Sequence, residues 1–432
     1  MKFSFNRKKD DNTSEDINKQ TSSIYEVFEK LTTYFDPQPQ KEKVLRHDDF
    51  NRAGDTYYAS VSAGYKISQR ILTVILAVFL MFSLLTNFKN ITFDNLFYFL
   101  KDFSNAMDIE QSDYDTVSYS SDTRHFFSLY RNGLVVVDSS NIAAFTATGR
   151  NTLQTTSQFS SPCVVSSDKY FLVYDTAGTT FSVYNAFSRV YSENFDYPVT
   201  DACFGDNGSV AIITKDISHK SVVYLYSKSF DKKLKIPCDK YAFDVCVSDE
   251  TKQMAICYYD IGDGSGVSEI CVRSTENADI VKNIEISGEF LLKCGFLSKN
   301  RFVAITDDSI RIYDKNFEEI DRFEYFNANV SGYSISPDGV AVAYSENSKN
   351  MTIVFDKSGN MLYNNTISDT VKDIGICDRF VFLRTDSGII RIDTMNDEEE
   401  YLPSDQGRML IYNANTALVC GISKAEYLVF GN

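Results

Sequence analysis

Residues 334–367 read SISPDGVAVAYSENSKNMTIVFDKSGNMLYNNTI, from Ser334 to Ile367. Short runs rich in Val, Ile, Tyr and Phe alternate here with turn residues, which is the pattern of strands joined by hairpins. Pro337, Asp338 and Gly339 supply the backbone geometry of a tight turn after the first strand. A second strand, GVAVAYSE, runs to Glu346, and a hairpin leads to a third, MTIVFD. The more polar MLYNNTI closes the unit as a fourth strand.

The same unit recurs along the chain. The end of its second strand is marked by Asp138, Asp175, Asp216, Asp260, Asp307, Glu346, Asp386 and Ser423, with spacings of 37, 41, 44, 47, 39, 40 and 37 residues. Four strands in roughly 40 residues is the period of a propeller blade. Solenoid repeats are shorter or helical, and a sandwich does not repeat internally. The expected fold is therefore an all-β propeller over residues 113–432, with eight four-stranded blades favoured and seven as the fallback.

The last repeat runs through Ala417–Ile422 and Glu426–Phe430 without a fourth strand of its own. Upstream, Asp113–Ser120 (DYDTVSYS) precedes the first repeat and is expected to complete the last blade. That closure removes two exposed sheet edges. Tyr114 and Thr116 are expected on its buried side. On the innermost strand, Cys203, Cys246, Gly295, Ser334 and Gly375 share one position, where blades converge and only small side chains fit.

The RIYDKN, IVFDKSGNMLY and SISPDG segments resemble the hairpins of WD-repeat-like and quinoprotein-like propellers. The overall layout is similar to a family of uncharacterised single-pass propeller proteins of low-GC Gram-positive bacteria, with a cytoplasmic tail, an anchor, an aromatic NLFYFLKDF-type segment and a propeller. The chain contains no Trp and none of the GH or WD dipeptides of true WD repeats.

Ahead of the repeats, residues 71–88 (ILTVILAVFLMFSLLTNF) carry no charge. As a helix they reach about 27 Å, close to the ~30 Å hydrocarbon core of a bilayer. A single transmembrane helix is expected. Arg52, Lys66 and Arg70 precede it, against Lys89 and Lys101 after it, so the N-terminus is expected inside and the propeller outside the cytoplasmic membrane. Residues 1–70 read as a mostly disordered cytoplasmic tail. Within it, residues 24–35 form a short amphipathic helix whose Ile24, Val27, Phe28 and Leu31 are candidate partner-binding residues. Residues 89–112 read as an aromatic interfacial or linker helix, with Phe93, Leu96, Phe97, Leu100 and Phe103 on one stripe.

Charge narrows the function classes. Residues 1–70 hold 12 Lys/Arg and 11 Asp/Glu, so the net −16 of the chain becomes −17 beyond residue 70. Such a domain repels phosphate backbones, and no nucleic-acid partner is expected. Nine cysteines without a C-x-x-C pair give no zinc motif, and their odd number suits free, buried thiols. His125 and His219 stand in no recognisable nucleophile motif. The loop DIGDGSGVSE offers Asp260, Asp263 and Ser265 as weak calcium candidates, against the plain reading of a Gly-rich hairpin tip. Asp175, Asp307, Asp314, Asp356, Asp386 and Asp393 sit at strand ends, where carboxylates cap backbone N–H groups more often than they act as acid–base pairs.

No cofactor is expected, and no catalytic residue is assigned. The expected function is a non-catalytic, membrane-anchored scaffold or ligand-sensing module of the cell envelope, meeting protein partners through the propeller faces and the tail. The alternative is a glycan-binding or carboxylate-dependent hydrolytic propeller using the central pocket.

Overall fold

In the computed structural model the stretch from Ser334 to Ile367 folds as its pattern predicts. Strands Asn329–Ser336, Gly339–Glu346, Lys349–Asp356 and Met361–Ile367 hydrogen-bond in that order as one antiparallel sheet. The structure describes residues 65–79, 81 and 116–431, apart from 121–122, 132, 177, 263–264, 326–327 and 406. Eight such four-stranded sheets are present among the described residues. Their innermost strands are Phe126–Tyr130, Pro162–Ser166, Val199–Phe204, Tyr241–Ser248, Leu291–Ser298, Asn329–Ser336, Asp373–Cys377 and Arg408–Asn413, which define blades 1 to 8. Each inner strand lies beside the next, and that of blade 8 returns to that of blade 1. The fold is an eight-bladed propeller.

Burial follows from this geometry. Both faces of a blade pack against neighbours, so a middle strand is apolar on every residue rather than on alternate ones. Val210, Ala211, Ile212 and Ile213 of blade 3 are all fully buried, and Val303, Ala304 and Ile305 repeat this in blade 5. Each large side chain so buried contributes roughly 1.5–3 kcal/mol. The fourth strands alternate or lie exposed, as in Glu319–Glu324. A charge at Ile212 would therefore break the packing of two blades at once.

Blade 8 is completed from upstream. Val117–Ser118 pairs with Lys424–Val429, giving the sheet order Val117–Ser118, Lys424–Val429, Thr416–Cys420, Arg408–Asn413. The phase of this closing strand differs from expectation. Val117 is fully buried while Thr116 is exposed, and Tyr114 lies outside the described residues. The hydrogen-bonded strand has only two residues, so its phase is set by Val117 entering a cluster with Leu134, Val136 and Leu418 between blades 8 and 1.

The small residues expected near the axis occupy one register. Cys203, Cys246, Gly295, Ser334 and Gly375 face Ala211, Ala255, Val303, Ala341 and Phe382. A Cβ on Gly295 would stand 2.8 Å from Ile335 Cγ2 of blade 6, and one on Gly375 would collide with Ile411 Cδ1 of blade 8. Side chains at this position thus point at the next blade, and their size sets how closely blades approach. All nine cysteines are free. Cys238, Cys257, Cys271, Cys294 and Cys420 are buried, whereas Cys163, Cys203, Cys246 and Cys377 are only half-buried, which corrects the expectation of uniform burial. All four lie on innermost strands, which leave one edge toward the axis.

Residues 1–92 form a separate unit. Its described part, residues 65–79 and 81, is helical and exposed. Among the described residues no helix is long and apolar enough to cross a membrane, and the expected span 71–88 extends beyond them. The amphipathic stretch 24–35 and the aromatic segment within 89–112 also lie outside the described residues.

Candidate functional site

Four consecutive inner strands carry a bulge at the same place. The register shifts between Val199 and Asp201, Ala242 and Asp244, Leu291 and Lys293, and Val330 and Gly332. A bulge re-aims the side chain that follows it. Asp201, Asp244, Lys293 and Gly332 therefore share one position, two residues ahead of the small-residue register. Asp373 and Arg408 reach the same position in blades 7 and 8 without a bulge. Charged residues from five blades thus gather at one end of the axis.

These charges are largely spent between blades. Asp201 accepts a hydrogen bond from Val245 N of blade 4 at 3.3 Å and another from Tyr174 Oη of blade 2 at 3.3 Å. Burial, with Asp244 close by, pushes the Asp201 carboxyl up to about 7. Asp244 is buried and pairs with the Lys293 ammonium of blade 5. Burial alone would lower the Lys293 pKa, but Asp244 and Asp201 hold it above the usual lysine value, so the ammonium stays charged. Asp373 is raised by burial and opposed by Arg408 and Arg384.

Beneath the Asp244–Lys293 pair lies a group of thiols. Cys257 is the register partner of Asp244 on the second strand of blade 4, and Cys294 follows Lys293 on blade 5. Cys257 Sγ is 3.1 Å from Cys294 Sγ and 4.0 Å from Asp244 Oδ2, while Cys246 Sγ is 3.6 Å from Cys294 Sγ. Burial pushes the Cys257 thiol up to about 11, and the Cys294 contact together with burial raises Cys246 well above its usual value.

Across the same mouth, blades 8, 1 and 2 line a cavity of 680 Å³ whose walls include Arg124, His125, Phe126, Tyr174 and Arg408. His125 lines this cavity, packed among neighbouring rings. Its ring packs 5.0 Å from Tyr119, and burial lowers its pKa, with Asp138 opposing from 4.0 Å. His219 meets Asp239 at 3.1 Å on an exposed hairpin.

The strand-end carboxylates behave as caps. Asp138 accepts from the N–H groups of Ser140 and Asn141, Asp175 from Ser160 and Ser161, and Asp314 from Asn316 and Glu318. Asp307 accepts from Phe290 N, and Asp356 from Ser358 and Asn360. Asp393 accepts from Met395 N and pairs with Arg379, while Asp386 stands 3.6 Å from Lys372. Of the calcium candidates, Asp260 lies in the long hairpin of blade 4 with Lys220 Nζ 3.9 Å from its carboxylate. Asp263 and the side chain of Ser265 lie outside the described residues, as do Ile24, Val27, Phe28 and Leu31.

A second surface was not legible in the sequence. Six outer strands also carry a bulge, at Thr152, Val190, Lys233, Val281, Ile320 and Leu362, where the register shifts against the third strand. The four apolar side chains, Val190, Val281, Ile320 and Leu362, are exposed, and Ile280 and Met361 extend the row. Strands alternate in direction, so this row sits on the rim at the end of the blades opposite the charged mouth. Its members in blades 4, 5 and 6 are consecutive around the ring.

The family model described as a family of unknown function (DUF5711) matches residues 107–406. The chain belongs to the DUF5711 family. The matched DUF5711 region holds the closing strand and blades 1 to 7, including Asp201, Asp244, Cys257, Lys293 and Cys294. No curated protein matches the sequence. Among solved structures, Sqt1 of Saccharomyces cerevisiae is similar at 8% identity, covering 74% of this chain and 100% of that chain, with a TM-score of 0.55. BamB of Moraxella catarrhalis aligns at 9% identity over 74% of this chain and 99% of that chain, with a TM-score of 0.49. At these identities the likeness to Sqt1 is one of fold alone.

Proposed function

We propose that this DUF5711 protein is a membrane-anchored, non-catalytic interaction scaffold or ligand-sensing module, held by residues 71–88 with its propeller outside the cytoplasmic membrane. The observation that carries the scaffold reading is the apolar row on the rim. Val281, Ile320 and Leu362 repeat at one bulge position in three adjacent blades, and apolar side chains exposed together at a repeated position suit a protein partner. The charges at the mouth fit the same reading, because Asp201 and Asp244 are engaged by neighbouring blades.

The test is a photo-crosslinking amino acid placed at Ile320 or Leu362 in the full-length protein in intact cells, with Glu399 on the outer strand of blade 7 as the control position. A discrete adduct from Ile320 and Leu362 alone is expected. Equal labelling from all three positions would remove the rim as a partner surface. The anchor is tested separately, by adding protease to wall-stripped cells. The propeller should be degraded while an N-terminal tag survives, and a protected propeller would refute the exported topology.

One arrangement favours the second reading, carboxylate-dependent hydrolysis of a glycan. Asp201 and Asp244 stand at the same bulge position of adjacent inner strands at the mouth, and burial with Asp244 close by pushes the Asp201 carboxyl up to about 7, as suits a general acid paired with a carboxylate. Hydrolysis of cell-wall glycan that disappears in Asp201→Asn, with an unchanged melting temperature, would favour it over the scaffold.

A further inference from the structure

The thiol group between blades 4 and 5 has no place in the scaffold reading. Among the described residues, Asp244, Cys257 and Cys294 are the one set of three ligating side chains gathered within reach of a single ion, and all three are buried. Cys246 Sγ lies 3.6 Å from Cys294 Sγ but stands outside this set.

We propose that Asp244, Cys257 and Cys294 form a three-ligand binding site for a thiophilic d10 cation of the zinc class, joining blade 4 to blade 5 at the axial mouth.

Distances support three corners of a tetrahedron. Metal–sulfur bonds of about 2.3 Å and metal–oxygen bonds of about 2.0–2.2 Å at tetrahedral angles place neighbouring ligand atoms roughly 3.5–3.8 Å apart. The Cys257–Cys294 separation of 3.1 Å and the Cys257–Asp244 separation of 4.0 Å bracket that range, so ligation needs shifts of a few tenths of an ångström. The donor set is soft, with two sulfurs and one carboxylate oxygen, and this selects zinc-like ions over calcium or magnesium.

The surroundings are those of a supported site. Asp244 uses Oδ1 to hold the Lys293 ammonium, which leaves Oδ2 turned toward Cys257. A ligating carboxylate is ordinarily fixed by such an outer partner. Lys293 also offsets part of the negative charge that two thiolates and a carboxylate bring to one divalent ion. Its side chain is 41% exposed, so the site lies just beneath the channel wall. Binding one divalent ion to two neutral thiols releases two protons, and the ion replaces them in neutralising the sulfurs.

No motif announces this site, because the ligands come from three strands in two blades at positions 244, 257 and 294. A short Sγ–Sγ contact also suits a disulfide, and the experiment separates the two. Full-length protein, purified without metal under reducing conditions, is titrated with Cd²⁺ and with Co²⁺. One ion per chain is expected, giving a sulfur-to-metal charge-transfer band with Cd²⁺ and tetrahedral thiolate d–d bands with Co²⁺. Cys257→Ser and Cys294→Ser should abolish the bands, and Cys420→Ser, a buried cysteine in blade 8, should leave them unchanged. Lys293→Met should weaken affinity about 10–100-fold without removing a ligand. Thermal melts without metal identify any variant that fails to fold, and for such a variant competition by a chelator in the wild type supplies the affinity. Absence of a stoichiometric band in the wild type overturns the site, as does a band that survives Cys257→Ser together with Cys294→Ser. Peptide mapping that finds Cys257 and Cys294 disulfide-bonded in protein taken directly from cells overturns it as well.

Discussion

Val117 lies directly opposite Ala425, so the first strand of the propeller is hydrogen-bonded to its last. The pair sits between blades 8 and 1, where Val117 fills a fully buried position against Leu134 and Leu418. Tyr119 reinforces the junction by donating its hydroxyl to Gly421 O at 2.8 Å.

Deleting residues 113–120 should lower the melting temperature of the propeller and expose Lys424–Val429 as an open edge. The loss combines ladder hydrogen bonds at about 0.5–1.5 kcal/mol each with roughly 1.5–3 kcal/mol for Val117 burial. Calorimetry with light scattering checks both the destabilisation and the aggregation expected of an unpaired edge. An unchanged melt in a monomeric deletion variant would mean that the ring does not depend on this strand.

Gly375→Ala should destabilise by about 1–3 kcal/mol, because its Cβ meets Ile411 of the next blade in a packed interface. Ser334→Ala, in the same register of blade 6, introduces no new atom and should cost much less. Urea unfolding of the two variants side by side measures the difference. Equal midpoints would show that blade spacing tolerates an extra methyl group.

Blade 5 holds a buried ion pair. Arg311 meets Glu289 and also Glu319 at 3.2 Å, while Thr306 and Ser309 donate to Glu289 at 2.6 and 2.7 Å. Burial by itself would raise the Glu289 pKa, but the hydrogen bonds from Ser309, Thr306 and Arg311 hold it below its ordinary value near 4.5. A lowered folded-state pKa gives stability that is present above that ordinary value and is lost as pH falls through the folded one. Glu289→Gln should therefore flatten the acid limb of the stability–pH curve, and Arg311→Leu should cost about 3 kcal/mol at neutral pH. Melting temperatures from pH 7 downward test this, and a wild-type acid limb retained in Glu289→Gln would assign the loss to other groups.

The cysteines should all titrate as thiols. Unfolded in denaturant with chelator but without reductant, the chain should react at nine sites with a thiol reagent. Native protein should react slowly at Cys238, Cys257, Cys271, Cys294 and Cys420, which are buried. A count below nine in the unfolded chain would reveal a disulfide.

The repeat was legible because one residue type, a carboxylate at the end of the second strand, returns at seven of the eight repeats and does the same local work in four of them. Asp138, Asp175, Asp216 and Asp307 all accept backbone N–H groups of the adjoining turn or loop. The closing strand was legible by elimination, but its phase was not. Counting by twos from Tyr114 puts Thr116 inside, whereas the burial of Val117 is decided by contacts some 300 residues away in sequence. The inner bulges hid the mouth in the same way. A single extra residue at Thr200, Phe243 or Leu292 shifts the strand by one, and no alternation rule tells which side chain follows it. Cys257 and Cys294 meet only because two blades pack together, so their spacing carries no signal.

The closing strand also fixes where load enters the ring. Everything upstream of the propeller is joined to it covalently through Val117–Ser118, which is held by two register pairs along one outer edge. A pull on the N-terminal segment therefore opens those pairs one after another, as a zipper does, while blades 2 to 7 feel no direct tension. The strand that seals the circle is thus the clasp that yields first under force.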